Sequence, residues 1–364
     1  MFRRFAQRSL RGRAAVLSSA LICLALTVAG CDTGRSSAIA LSGEPWRPLD
    51  GLDALRAPSC AGATGDEAGE AIALNASRVD LRALQDGVHL FNGATRVGAW
   101  HLTSPDPRFG GLSGLAALPS GDLLAVSDQG AFVWINLTGT SPTGARLAPM
   151  LGADGAPIAG KENQDAEGVT LVDGVALVSF ERNHRIEAFD LARCGAAARA
   201  VPAITIPNRP PQLGGAMESN GGVEGLAYSP GLRMVWVGIE TSRGLGQPLG
   251  QIDSAGVPVV VDRLEAAPEL ELTGLDASQF YPTALFRSYE PGVGNTILVA
   301  FVDGGAPQAN SLVNLVRLEP SVPVDNFEGI AVQNRGTRGR RLWIVSDDNF
   351  SSSQRTLLMA FDLP

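Results

Sequence analysis

One theme recurs five times along this chain and constrains its fold more than any other feature. Each copy is a short apolar strand opened by a small or acidic motif, then a turn, then a second apolar strand ending on a polar residue. The first copy reads Gly110-Gly111-Leu112-Ser113-Gly114-Leu115, then Pro119-Ser120-Gly121-Asp122, then Leu123 to Asp128. The second reads Asp165-Ala166-Glu167-Gly168-Val169, Asp173-Gly174 and Val175 to Glu181. The third reads Gly222-Val223-Glu224-Gly225-Leu226, Ser229-Pro230-Gly231 and Arg233 to Glu240. A weaker fourth reads Tyr281-Pro282-Thr283-Ala284-Leu285, Pro291-Gly292 and Thr296 to Asp303. The last reads Asp325-Asn326-Phe327-Glu328-Gly329-Ile330 and Leu342 to Asp348. With Gly114, Gly168, Gly225, Ala284 and Gly329 as equivalents, the steps are 54, 57, 59 and 45 residues.

Propeller blades repeat at about 40–50 residues, and the longer steps leave room for inserted loops. A lone blade cannot bury both faces, whereas radial stacking buries them and leaves only short edges. The expected fold is therefore all-β, a β-propeller. Asp173-Gly174 is a hairpin signal, because a tight turn needs positive φ at its central residues. The strands between Ala71 and Thr103 lack the theme and are expected to complete a blade with the C-terminal strand Thr356–Leu363. Five units plus this material favour six blades, within a range of five to seven. A β-sandwich is the alternative, and the fixed place of Glu-Gly or Ser-Gly in each unit argues against it.

The N-terminus reads as an export address. Met1 to Arg13 carries five Arg and no acid, and Ala14 to Val28 is an uncharged, mostly apolar run. That is the n-region and h-region of a secretory signal, too short for a spanning helix of about twenty residues. Val28-Ala29-Gly30-Cys31 resembles a bacterial lipobox, with Val28 where Leu is usual, so Cys31 is the expected lipidation site. Asp32 follows and resembles an inner-membrane retention signal, a rule that varies between bacterial groups. An ordinary secretory signal is the plainer reading. Residues 1–30 are then the signal, 31–69 a Gly, Ala, Ser and Pro tether, and 70–364 the domain. The expected location is the bacterial cell envelope, anchored by lipid to the inner or outer membrane and facing periplasm or exterior.

Charge and cysteine use agree with export. The formal charge is −8, and loss of five Arg with the signal takes it to −13. Such a body repels polyanions, so nucleic acid is not an expected partner, and a lipid rather than a basic patch would hold it at a membrane. Cys23 leaves with the signal, and Cys60 and Cys194 remain after Cys31. Two cysteines in an oxidising compartment pair as one disulfide, which would pin the N-terminal arm to the body. The protein is expected to be a monomer.

The chain resembles a known family, the "esterase-like activity of phytase" proteins with their phytase-like propeller domain. The carriers are Phe109-Gly110-Gly111-Leu112-Ser113-Gly114-Leu115, Val126-Ser127-Asp128, Asp165-Ala166-Glu167-Gly168 and Val223-Glu224-Gly225-Leu226. The end of the chain is the most specific part. It reads Asp325-Asn326-Phe327-Glu328-Gly329-Ile330-Ala331, then Val345-Ser346-Asp347-Asp348-Asn349-Phe350, then Gln354-Arg355-Thr356-Leu357-Leu358. The resemblance spans about residue 70 to the C-terminus and implies an ester-cleaving or phosphatase-like hydrolase.

The recurring acids are the most informative polar feature. Glu167, Glu224 and Glu328 hold one place in three units, with Ser113 in the same place of a fourth. In a ring, equivalent places stand at equal height around one axis, so these carboxylates converge near one mouth. Converging carboxylates repel unless protonated or bridged by a cation. Ca²⁺ takes six to eight oxygens at about 2.3–2.6 Å, and makes the expected cofactor a divalent cation. Glu167, Glu224 and Glu328 are its expected ligands, completed by Asp348 and Asn349. A second set ends the following strand: Asp128, Glu181, Glu240, Asp303 and Asp347. Of these, Asp128, Glu181, Glu240 and Asp347 are candidate catalytic groups, a general base among them. Arg108, Arg182 and Arg243 lie near these motifs, and Arg182 is the candidate to orient an anion. The structural alternative is that each acid caps backbone N–H groups at a turn.

Other chemistries are poorly served. Ser113 does not sit in a G-x-S-x-G elbow, and His89, His101 and His184 are the only histidines, so a Ser-His-Asp site lacks support. With Lys161 the only Lys, a lysine-lined phytate pocket is not expected, though Arg can substitute. No P-loop, dinucleotide loop, EF-hand or haem motif occurs. Two functions remain: a metal-dependent hydrolase of a phosphate or carboxylic ester acting on a small substrate, or a non-catalytic propeller binding a ligand or envelope protein. A sugar-binding reading lacks an aromatic platform.

Overall fold

A computed structural model of the chain describes residues 45–80, 87–206, 221–240, 246–253, 258–277, 280–304, 312–320 and 324–364. The signal, Cys23, Cys31, Asp32 and Arg243 lie outside the described residues.

The chain enters through helix α1 (Leu52–Ser59) and strands β1 (Glu70–Ile72), β2 (Asn75–Arg78), β3 (Val88–Leu90) and β4 (Thr95–Thr103). Blade 1 follows as β5 (Leu112–Ala117), β6 (Leu123–Ser127), β7 (Ala131–Thr138) and β8 (Ser141–Pro149). The short helix α2 (Lys161–Gln164) leads to blade 2, which is β9 (Ala166–Val172), β10 (Val175–Phe180), β11 (Arg185–Asp190), α3 (Leu191–Cys194) and β12 (Val201–Thr205). Blade 3 is β13 (Val223–Ser229), β14 (Met234–Ile239), β15 (Gln247–Ile252) and β16 (Pro258–Leu264). Blade 4 is β17 (Glu271–Asp276), β18 (Thr283–Glu290), β19 (Gly294–Val302) and β20 (Leu312–Leu318). Blade 5 takes β21 (Asn326–Asn334), β22 (Arg340–Asp347) and β23 (Thr356–Leu363).

Five antiparallel sheets result, and their inner strands β5, β9, β13, β17 and β21 pack in cyclic order, each against the next and β21 against β5. Each of the five seams between neighbouring blades carries its own apolar cluster. Seams on both faces explain the inner pattern: β6, β10 and β14 are buried along their whole length. The outer strand β8 instead alternates exposed and buried residues, as a half-solvated strand does.

The ring has five blades, at the lower end of the range read from sequence rather than the favoured six. The N- and C-terminal strands do close one blade, in the order β2-β4-β23-β22-β21. That blade is the fifth themed unit itself, which has only β21, β22 and β23 of its own and takes β4 and β2 as outer strands. The themeless N-terminal material therefore adds no sixth blade.

The fourth repeat also moves. Its inner strand is β17, so Thr273 and Gly274 are the equivalents of Glu-Gly elsewhere, and Tyr281 to Leu285 leads into the second strand. With Gly274 in place of Ala284 the steps become 54, 57, 49 and 55 residues, more even than before. Asp303 accordingly follows a third strand, outside the set of second-strand acids. Close approach explains the recurring glycine. A Cβ on Gly168 would stand 2.9 Å from the Glu224 carbonyl oxygen, and one on Gly274 2.5 Å from that of Glu328.

Residues 45–69, assigned to the tether by composition, carry α1 and are bolted to blade 2. Leu52 enters the seam between blades 2 and 3. Arg56 is buried and binds Asp190 at 3.0 Å and Asp173 at 2.7 Å. Cys60 and Cys194 form a disulfide with Cα atoms 5.5 Å apart. Among the described residues no helix is long and apolar enough to cross a membrane.

Candidate functional site

The inner strands share one irregularity. The pairing of β5 with β6 slips between Leu112 and Gly114, of β13 with β14 between Val223 and Gly225, and of β17 with β18 between Leu272 and Gly274. It slips between Phe327 and Gly329 in blade 5, and opposite Val178 and Phe180 in blade 2. A bulge leaves one residue out of the ladder and re-aims its side chain. The residues so placed are Ser113, Glu167, Glu224, Thr273 and Glu328. They form an inner tier at one end of the ring, above a channel cavity of about 10 Å³ lined by all five inner strands.

A second tier comes from the residues, on or just past the second strands, that lie opposite the start of each inner strand. Asp128, Glu181 and Glu240 donate their backbone N–H to the carbonyls of Gly111, Asp165 and Gly222, at 2.9, 2.9 and 3.1 Å. In blade 5 the same place is Asp347, paired with Asn326, and in blade 4 it is Arg287, paired with Glu271. The second tier is thus Asp128, Glu181, Glu240, Arg287 and Asp347: four acids and one cation.

The tiers feel one another. Burial, then Glu224 and Glu328, push the Glu167 carboxyl well above the ordinary carboxylate value. Burial, then Glu240, Glu181 and Glu328, do the same to Glu224. Burial is the first cause in the second tier as well, pushing Asp128 up to about 6, Glu181 and Glu240 up to about 7 and Asp347 up to about 8. The sequence-distant acids therefore do share one mouth. Buried carboxylates under mutual repulsion take up either protons or a cation.

Asp165, Glu167 and Glu181 offer oxygens that all lie within 4.8 Å of one another. Asp165, absent from the residues picked from sequence, is 2% exposed and held by Lys161 at 3.1 Å and by Arg182 at 2.7 Å. Its signal was present: it stands two residues before Glu167, in the segment that opens the inner strand. One oxygen of Asp128, Oδ1, is buried without a hydrogen-bond partner. Hard carboxylate oxygens in this number suit Ca²⁺ or Mg²⁺.

The remaining candidates divide. Arg287 forms an ion pair with Glu328 at 2.8 Å, and Asn326 Nδ2 donates to the same oxygen at 2.7 Å. Burial works against the Arg287 charge, but Glu328, Glu240 and Glu224 raise its pKa. Arg182 is spent on Asp165, and Arg108 binds Asp106 at 2.6 Å and Glu70 at 2.8 Å. Asp348 accepts the Gly111 N–H at 3.0 Å and the Thr356 hydroxyl at 2.9 Å, so it sews blade 5 to blade 1 as a capping acid would. Asn349 is exposed in a left-handed turn and donates its N–H to Asp347 at 2.6 Å. His184 is 6% exposed beside Gly222, and its Nδ1 has no partner. Burial pushes its pKa below the ordinary value, which keeps the imidazole neutral. Nothing in the sequence around His184 marks it.

A family model described as "Phytase-like: Esterase-like activity of phytase" matches residues 107–350, which span all five inner strands. No curated protein matches the chain. Among solved structures, the PQQ-bound aldose sugar dehydrogenase of Streptomyces coelicolor is 14% identical, covers 76% of this chain and 97% of its own, and gives a TM-score of 0.41. A calcium structure of the Trichoderma reesei carbohydrate-active enzyme family AA12 is 13% identical, with coverage of 82% and 97% and a TM-score of 0.37. The glutaminyl cyclase of Myxococcus xanthus is 14% identical, with coverage of 70% and 97% and a TM-score of 0.32. Likenesses this distant bear on neither blade count nor chemistry.

Proposed function

This chain belongs to the family of the esterase-like activity of phytase, and from that premise we propose that its acidic mouth is a cation-dependent hydrolytic site for a phosphate or carboxylic ester. The observation that carries this reading is the pair of tiers, in which seven carboxylates and one arginine gather at one end of the channel. Glu167 and Glu224, with Glu181 or Asp165 beside them, would hold a divalent cation. When bound, that cation supplies positive charge for the substrate's anionic oxygens.

The chain's own groups then divide the work. Glu240, pushed up to about 7, is half ionised near neutral pH. It accepts a proton from an attacking water and returns it to the leaving oxygen. Arg287, two blades from blade 2, orients the anion through the guanidinium nitrogens it does not spend on Glu328, whereas Arg182 lies among the blade 2 carboxylates that would hold the cation. Glu328, neutralised by Arg287, positions that guanidinium.

The export address belongs to the same proposal: residues 1–30 removed, Cys31 lipidated, and a monomeric body held at an envelope membrane without nucleic-acid contacts. Replacing Cys31 by Ser would release the protein from membranes and abolish palmitate labelling. Turnover on a panel of carboxylic esters and phosphomonoesters, before and after chelation, tests the chemistry. Loss on chelation and recovery with Ca²⁺ supports it. Unchanged turnover, or none on any substrate, favours the second reading, a propeller that only binds its ligand. One observation supports that alternative: the channel below the carboxylates has only about 10 Å³, room for about one water, so a substrate must be recognised at the surface.

A further inference from the structure

At the end of the ring opposite the mouth, one hairpin is strongly basic. The hairpin between β21 and β22 reads Asn334-Arg335-Gly336-Thr337-Arg338-Gly339-Arg340-Arg341, in a chain of net charge −8. It borders a cavity of about 520 Å³ between blades 5 and 1. Arg335, Arg338 and Arg341 line one wall, and Ser120, Gly121 and Thr140 the other. Among the described residues one carboxylate answers them: Asp362 binds Arg335 at 3.0 Å and Arg341 at 2.8 Å, while Arg335 also donates to the Arg338 carbonyl at 3.0 Å and Arg340 to the Pro364 oxygen at 3.4 Å. Asp122, beside Ser120, is taken by the Leu137 N–H at 2.8 Å and the Ser120 hydroxyl at 3.1 Å. Arg335 keeps a buried Nε without a partner, and Arg338 is exposed and makes no ion pair among the described residues. Positive charge is left over, and it faces a concavity.

We propose that this groove is a second binding site, for a phosphorylated, hydroxyl-rich small molecule of sugar-phosphate size. Guanidinium forks match the paired oxygens of a phosphate. The Thr140 hydroxyl and the Gln333 amide oxygen offer hydrogen bonds to ligand hydroxyls, while the Ser120 hydroxyl is held by Asp122 and Gln333 Nε2 donates to the Gly121 carbonyl at 3.4 Å. Among the described residues no aromatic ring lines the groove, so it offers no stacking platform for a base. The volume falls within the range of about 300–1,000 Å³ typical of small-molecule sites. The proposal is independent of the chemistry at the mouth, since the inner strands separate the two ends.

Calorimetric titration of the full chain at low ionic strength tests it, with glucose 6-phosphate and inorganic phosphate as probes. Glucose 6-phosphate is expected to bind saturably and more tightly than phosphate. Arg338→Gln, which removes an exposed and unpaired side chain, is expected to weaken binding about tenfold, or about 1.4 kcal/mol. Arg335→Lys keeps the charge but loses the fork and Nε, and is expected to weaken it also; a thermal melt verifies that it folds. Glu224→Gln, at the mouth, is expected to leave this binding unchanged. The proposal is overturned if neither probe saturates or if Arg338→Gln changes nothing. Equal affinity for the two probes, or loss of binding in Glu224→Gln, overturns it as well.

Discussion

Blades 2 and 4 are built on the same backbone and carry opposite chemistry. Both have a bulge on the inner strand, a glycine after it and a charged residue from the second strand or just past it opposite the start of the inner strand. Blade 2 fills those places with Glu167 and Glu181, adds Asp165, and gathers three carboxylates within 4.8 Å. Blade 4 fills them with Thr273 and Arg287. The difference shows how a near-symmetric ring becomes a directional site. Five identical acidic blades would hold charge on the axis. With one blade neutral and cationic, negative charge concentrates on the side of blades 1 to 3, and Arg287 neutralises Glu328 across the mouth. A cation and an anion then have separate places.

The largest effect expected from breaking this contrast comes from blade 2. Glu167→Gln removes a carboxylate that bears the field of Glu224 and Glu328. Loss of a supporting residue around a metal commonly costs about 10–100-fold in affinity, so loss of a ligand is expected to cost at least about 100-fold. Calorimetric titration with Ca²⁺ measures it, and unchanged affinity would move the cation out of blade 2.

A smaller effect is expected in blade 4. Arg287→Gln leaves Glu328, only 16% exposed, without its cation. Removing one partner of a fully buried pair costs about 3–5 kcal/mol; residual exposure and the Asn326 hydrogen bond reduce this to about 2 kcal/mol. On an anionic substrate KM is expected to rise about tenfold more than on a neutral ester. An equal change on both substrates would reduce Arg287 to a structural counter-ion.

Much of this contrast was legible in the sequence on the blade 2 side and little of it on the blade 4 side. Glu167, Glu224 and Glu328 repeat with their glycine, so symmetry alone carries them to one mouth. Blade 4 escaped because the residue types changed while the geometry did not. Leu272-Thr273-Gly274-Leu275 keeps the glycine and the flanking leucines but drops the acid, and Tyr281 to Leu285 mimics the missing unit one strand later. Reading by acid rather than by glycine therefore hid Arg287, and placed Asp303 in a set to which it does not belong. The blade count was overstated for a related reason: Thr356–Leu363, to which the N-terminal strands were joined as the structure has it, was counted apart from the fifth unit, whose third strand it is. Asp348 carried the right motif and a different task, since its oxygens are taken by Gly111 and Thr356, an interaction between blades that no local pattern encodes.

The smallest expected effect is on stability, and it separates the mouth from blade 4 again. Asp128, Glu181, Glu240 and Asp347 have folded values of about 6, 7, 7 and 8, above their ordinary values of 3.8 for Asp and 4.5 for Glu. A raised acid binds its proton more tightly folded than unfolded. Its stabilising contribution is complete below about pH 4 and is lost as pH rises through the folded value. Cation-free protein is therefore expected to melt at progressively lower temperature between pH 5 and pH 8, by about 2 °C for each kcal/mol lost in a chain of this length. His184 works the other way, since burial holds its pKa below 6.5 and its contribution is recovered as pH rises to 6.5 and complete above it, but it is one group against all the raised acids. Ca²⁺ replaces protons at the mouth, so it should raise Tm more at pH 8 than at pH 5. Asp276 of blade 4 is also raised, to about 6, by burial, which outweighs the lowering effect of the Val332 and Ala277 N–H groups it accepts from, and lies outside both tiers. The decline it causes should persist in saturating Ca²⁺, running from about pH 4 to about pH 6. A calcium effect equal at both pH values would mean that the mouth carboxylates do not exchange protons for the cation, and the division of labour between the two blades would fail with it.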